Sequence, residues 1–231
     1  MSYLWQEFNI KTFEAETLVF RDGVFCDELS EYKSVSFDSQ KNQVCVNKTP
    51  KLPIHIIYIG EIAGNIDFNI DINSDDTNVI MTLKTVCKKP AFLNIFIKNA
   101  GKNSVFNGKN IVKNHSSLKI AIKGQHLSVN TGIFVKNRVA AYKDSENYMQ
   151  GIADIEKNLS DCENDISFSV LADDNAQITM KPIQYINSVP KNASHSASLY
   201  KPNDAMIYYL RTSGLSGHEI KQILEQAFLD E

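Results

Sequence analysis

From Asn65 to Asn73 the chain reads Asn-Ile-Asp-Phe-Asn-Ile-Asp-Ile-Asn, so Ile66, Phe68, Ile70 and Ile72 fall on one side of an extended chain and polar groups on the other. Strict period two marks a half-buried β-strand. Shorter runs of the same character follow at 79–86, 92–97, 118–122, 132–135, 139–142, 152–155, 165–171 and 176–180, separated by polar stretches at 98–104, 107–110, 143–147 and 173–175. Strands at this spacing, with no helical period between them, predict an all-β body from about Phe20 to Ile186. Hairpin-rich sandwiches favour Asn-Gly or Asp-Gly turns, and only Asp22-Gly23 and Asn107-Gly108 qualify. A parallel β-solenoid instead stacks polar turns on coils of about 20–29 residues. Periodicity alone leaves sandwich and solenoid open.

After Pro190 the pattern changes. Pro190 and Pro202 bracket a stretch, 191–201, that reads as a linker, and the period then becomes helical. Asn203 is the expected N-cap of a first helix carrying Met206, Ile207, Tyr208, Tyr209 and Leu210, with Gly214 as its left-handed stop. Ser216 and Glu219 form a capping box for a second helix, whose Ile220, Ile223, Leu224, Ala227 and Phe228 fall at i, i+3, i+4, i+7 and i+8. Helices this short must bury their stripe against the body or offer it to a partner. The adjacent Tyr208 and Tyr209 favour a partner surface.

Composition narrows the classes. The 231 residues carry 24 basic and 27 acidic side chains, a net charge of -3, which argues against nucleic acid held by bulk charge. The first twenty residues scatter charge and do not read as a secretory signal. No apolar run approaches the roughly 18 residues that span a bilayer, so a soluble, cytoplasmic protein away from membranes is expected. Twenty-two Asn against 10 Gly fit a chain that turns often, because Asn tolerates left-handed backbone; a low-GC genome would also raise Asn. Cys26, Cys45, Cys87 and Cys162 lie far apart without zinc-like spacing and read as reduced thiols.

Catalytic motifs are missing from the sequence. Gly101-Lys102 and Gly108-Lys109 lack the remainder of a phosphate-binding loop, there is no Gly-x-Gly-x-x-Gly, and Ser216 is taken by its cap. His55 reads as a satisfied strand residue and His218 as exposed, whereas His195, in Asn192-Ala-Ser-His-Ser-Ala197, stands among small polar residues that could present its ring. The acid pairs Asp75-Asp76 and Asp173-Asp174 read as turn residues, with a glycan-cleaving solenoid as the competing interpretation.

The C-terminal segment resembles the end of the SufB/SufD family of iron–sulfur cluster assembly proteins. The resemblance is carried by Ser194-His-Ser-Ala-Ser198, by Ile207-Tyr-Tyr-Leu-Arg-Thr-Ser-Gly-Leu-Ser216 and by the last amphipathic helix to Phe228. Leu18-Val-Phe-Arg-Asp-Gly-Val-Phe25 looks like the family's opening strand pair, and Pro53-Ile-His-Ile-Ile-Tyr58 and 171–182 look like later strands. The resemblance implies a right-handed parallel β-helix over 18–190, after a short extension (1–17), and a C-terminal helical hairpin region (191–231) that docks a SufC-like ABC-type ATPase. ATP would then be hydrolysed by the partner, whose dimerising heads pull on the hairpins.

The resemblance further implies lateral pairing with a SufB-like subunit, or with a second copy, and a non-catalytic scaffold role. No tightly bound cofactor is expected, only iron or a transient Fe–S cluster at the subunit junction. His195 would be the ligand on this side, because Ser194 and Ser196 replace the flanking glutamates of SufB-type members and Ser167 stands at the matching cysteine position. That departure makes the chain SufD-like. The expected partner surface comprises Tyr208, Tyr209, Leu210, Ile220, Ile223, Leu224 and Phe228. The leading helical domain of full-length members is expected to be missing. A stand-alone homo-oligomeric solenoid is the alternative.

Overall fold

The computed structural model describes residues 15–230, so most of the 1–17 extension lies outside the described residues. The strands are β1 (Glu16–Arg21), β2 (Val24–Phe25), β3 (Val35–Asp38), β4 (Gln43–Val46), β5 (Ile54–Ile72), β6 (Asn78–Asn99), β7 (Val105–Asn114), β8 (Ser117–His126), β9 (Gly132–Ala141), β10 (Glu146–Ile155), β11 (Glu163–Ala172), β12 (Gln177–Ile186) and β13 (Asn192–Tyr200). Apart from the antiparallel pairs β1–β2 and β3–β4, they pair in parallel. The result is a parallel β-solenoid of about 6 turns followed by two helices. One face stacks β1, the first half of β5, the first half of β6, β7, β9, β11 and β13. The other stacks β4, the second halves of β5 and β6, β8, β10 and β12.

The turns use part of the Asn complement. Asp76, Asn103, Asn130 and Asp161 each precede a strand of the first face by two positions, and all have positive φ, between 52° and 57°. Asp144 and Asn175 repeat the geometry on the second face. Asn and Asp occupy left-handed backbone at lower cost than other side-chain-bearing residues, and here they also bond between coils. The Asn103 amide donates to Asp76 (3.0 Å) and the Asn130 amide to Asn103 (2.8 Å). Asp75 accepts from the Lys102 backbone N–H at 2.7 Å, so the Asp75-Asp76 pair is turn structure.

Alternation sends every second side chain inward. Ile166, Phe168 and Val170 of β11 and Val135 and Val139 of β9 are buried. The N-terminal end is plugged by aromatic rings: Phe20 packs on Phe25, Phe37 and Phe68 at 5.3–5.4 Å between centroids, and Tyr58 on Phe68 at 5.9 Å. The C-terminal end is not plugged. Among the described residues the last strands, β12 and β13, each have one strand neighbour, and Tyr185 and Leu199 are more than half exposed.

Three expectations are corrected. The supposed linker 191–201 is mostly β13, in register with β11. The polar stretch 107–110 lies inside β7, where Asn110 points inward and donates to Asn137 at 2.7 Å. Runs 132–135 and 139–142 belong largely to one strand, β9.

The helices are α1 (Asp204–Thr212) and α2 (Gly217–Asp230). Asn203 caps α1 by accepting from the Ala205 N–H at 2.8 Å, and Gly214 follows it with φ 89°. The Ser216–Glu219 capping box forms with distances of 2.7–3.3 Å. No helix among the described residues is long and apolar enough to cross a membrane.

Candidate functional site

The last coil of the solenoid carries His195, and the hairpin that follows it carries the predicted partner set, whereas His55 and the Asp75-Asp76 pair lie in earlier coils. α2 lies against the outer surface of the first face, where Phe228 and Leu229 cluster with Ile111 and Ala140, flanked by Tyr142 and Leu171. This divides the predicted partner set. Ile220 and Phe228 are buried, so they are taken up within the chain itself and cannot also contact a partner from this arrangement. Leu210 and Leu224 are half-buried. Tyr208 (71% exposed), Tyr209 (69%) and Ile223 (46%) face outward, joined by Met206 (44%). α1 has no buried residue at all.

Polar contacts between hairpin and body were not legible in the sequence, because they join positions 48 to 121 apart. Lys221 pairs with Asp173 at 2.6 Å, and Lys113 with Glu225 at 2.7 Å. The Tyr142 hydroxyl donates to Glu225, and the Arg138 guanidinium donates to the Phe228 carbonyl. Burial, reinforced by the Glu225 carboxylate, pushes the Tyr142 phenol well up. Burial opposes ionisation of Asp173, yet its hydrogen bond from Lys221 holds the carboxyl below the usual range. Asp173 is therefore an anchor for α2, which leaves a glycan-cleaving role without support.

His195 sits in the final strand opposite Ile166 of β11, which in turn lies opposite Val135 of β9. Both partners are buried, so parity directs the imidazole into the solenoid interior at its open end. Both ring nitrogens are buried, and neither has a hydrogen-bond partner among the described residues. Burial lowers the pKa below the ordinary 6.5, only partly offset by Asp165, and so keeps the ring neutral. A neutral imidazole with unused nitrogens can ligate a borderline metal such as iron.

Ser167, Ser194 and Ser196 have the opposite parity and line the outer surface, with Ser167 directly beside Ser196. Cys162 is fully buried under the turn leading into β13, where its carbonyl accepts from Lys191 (3.0 Å). At about 3.3 Å per residue, the four positions from Ile166 back to Cys162 put the thiol roughly 13 Å along the strand from the level of His195. Among the described residues no three His, Cys, Asp or Glu side chains converge to hold a metal, so His195 would need ligands from outside this set.

Three of the remaining four histidines are committed locally. His55 is buried against the Thr82 hydroxyl (3.1 Å), His126 against Thr131 (2.8 Å), and the His115 ring stacks on Tyr142 at 3.8 Å. His218 is exposed in the first turn of α2. All four cysteines are free thiols.

A parallel solenoid sealed at one end, open at the other and carrying a helical hairpin beside the opening is the class that fold and site define. Residues 70–228 match the family described as SUF system FeS cluster assembly, SufBD core domain, over more than two thirds of the chain. The chain belongs to this SufBD family, whose members serve SUF-type iron–sulfur cluster assembly and are generally non-catalytic scaffold subunits. No curated protein matches the chain.

Proposed function

We propose that this chain is a SufD-like, non-catalytic scaffold subunit of a cytoplasmic SUF-type assembly complex. Its hairpin docks a SufC-like ABC-type ATPase. The observation that carries the reading is the outward set on the hairpin: Tyr208, Tyr209 and Met206 on α1, which has no fully buried residue, and Ile223 on the outer side of α2. Exposed paired tyrosines of this kind are typical of interface anchors. The unpaired edges of β12 and β13 offer backbone donors and acceptors to a SufB-like subunit, or to a second copy, which would continue the sheets across the junction. His195 would then face that junction as a ligand for iron or a nascent cluster, the cargo of the assembly.

Co-expression with the SufC-like ATPase tests the reading. The intact chain should co-purify with the ATPase, and the double replacement Tyr208→Ala, Tyr209→Ala should weaken the complex by about 30-fold or more, at about 2 kcal/mol or above for such anchors. Equal affinity of the double variant would refute docking through this face.

A further inference from the structure

The hairpin is fastened to the solenoid along one side only. α1 packs on α2, and a cavity of about 590 Å³ lies between the hairpin and the last coils, lined by Ala140, Leu171, Ile178, Leu199, Ile207 and Leu224 among others. Residues 201–203, which join β13 to α1, carry no regular secondary structure. What holds α2 is a small apolar cluster around Phe228 and Leu229 and a set of polar contacts: Lys221–Asp173, Glu225 with Lys113 and Tyr142, and the carbonyls of Phe228 and Asp230 accepting from Arg138 and Lys109.

The C-terminal end of α2 explains why those cations are there. α2 has no basic residue in its last turn, so the negative end of its dipole is uncompensated by the helix itself. The outer surface of the sheet supplies the compensation. Register sets Lys84, Ile111 and Arg138 in one column and Thr82, Lys109 and Lys136 in the next, which brings four cations together. Burial first, and then the charges of Arg138 and Lys84, disfavour the Lys109 ammonium. A like-charge cluster of this sort repels itself unless something negative lies on it, and the end of α2 does.

We propose that α2 is an electrostatic latch: the hairpin swings on residues 201–203 between a docked state, held by Glu225, Asp173 and the cation cluster, and a released state, and an ATPase that takes up Phe228 along with the exposed tyrosines competes with docking. The competition rests on the ATPase-docking reading above; the latch itself does not. Release uncovers Phe228, Leu229 and the cations together, so a latched hairpin keeps both an apolar and a basic surface covered until the partner arrives.

The latch is tested on the isolated chain by amide hydrogen exchange. Between about 0.1 M and 1 M NaCl the screening length falls from about 10 Å to about 3 Å. Exchange of α2 amides should then accelerate about five- to tenfold, the product of several weak ionic contacts, while β6 and β9 stay protected and serve as the folding control. Glu225→Gln should mimic high salt at 0.1 M, and Glu225→Lys combined with Lys113→Glu should restore protection. Protection of α2 that is unchanged by salt and by Glu225→Gln overturns the latch, whatever the ATPase does. With the ATPase present, Glu225→Gln should bind it several-fold more tightly, since the docked fraction no longer taxes binding; unchanged affinity overturns the competition. Failure of the wild-type chain to bind the ATPase at all would instead overturn the docking reading and leave the exchange result standing.

Discussion

Replacing His195 by Leu should stabilise the folded chain and, under the proposed ligand role, remove its ability to capture iron or a cluster. The imidazole points into the interior with two nitrogens that lack partners and are shielded from water. A buried donor or acceptor left unsatisfied costs about 1–3 kcal/mol. Because the residue as a whole is only half-buried in the last coil, the low end applies, and the expected gain is about 1–2 kcal/mol. In a chain of this size that raises Tm by roughly 2–4 °C per kcal/mol, and it should raise the urea midpoint by about 0.5 M.

The pH dependence sharpens the test. The folded pKa lies below the ordinary 6.5 and the unfolded pKa near it, so on acidification the unfolded chain takes up the proton first. His195 therefore makes the wild type lose stability as pH falls through about 6.5 towards the folded value. The slope is some fraction of the 1.4 kcal/mol per pH unit, roughly, that a fully shifted group gives. His55, His115 and His126 are shifted the same way and keep most of the acid limb in the variant, which should be shallower, not flat. Urea titrations at several pH values between about 5 and 8 measure both effects. A variant destabilised by more than about 1 kcal/mol, or one with an unaltered acid slope, would refute the argument that the ring is an unsatisfied, neutral group.

Two further outcomes follow from the packing. Phe68→Ala removes the ring on which Phe20 and Tyr58 both pack at the sealed end, and should cost about 3–5 kcal/mol by chemical denaturation. At the turn ladder, Asn103→Ala loses a left-handed-tolerant residue together with its bonds to Asp76 and Asn130, and should cost about 1–2 kcal/mol. Asn103→Gly keeps the backbone and should recover part of that, as thermal melts of the three proteins will tell.

Where the interior is apolar, the strands could be read directly: 65–73 alternates cleanly and lies in β5 up to Ile72, and 165–171 lies within β11. The helix caps were equally legible, because Asn203, Gly214, Ser216 and Glu219 act within a few residues of themselves. β7 was misread because its inward positions include Gly108, Asn110 and Asn114, polar or small residues whose burial is offset by neighbours on other coils. β13 was misread for a similar reason. Ala193, Ser194, Ser196 and Ala197 have little strand preference, and the segment is extended because β11 supplies its backbone partners. The hairpin's stripe was real but its use was not readable: Phe228 went to the body, Ile220 was buried within the chain, and Ile223 stayed exposed. Which apolar residue meets the sheet depends on Glu225, Lys221 and the basic columns that orient α2, and these lie far from it in sequence.

β5 and β6 run unbroken from one face of the solenoid to the other, as strands of 19 and 22 residues, whereas every later coil is assembled from separate strands of about ten. In a stack whose stability is a sum over neighbouring layers, this gives the molecule a mechanical polarity. The continuous strands act as bracing hoops beside the aromatic plug, so unravelling under load should begin at β13 and proceed backwards one coil at a time. Once α2 is undocked, force applied through the hairpin would reach the body at β13 and be spent on the one layer that can be peeled or reshaped while the braced end keeps its form.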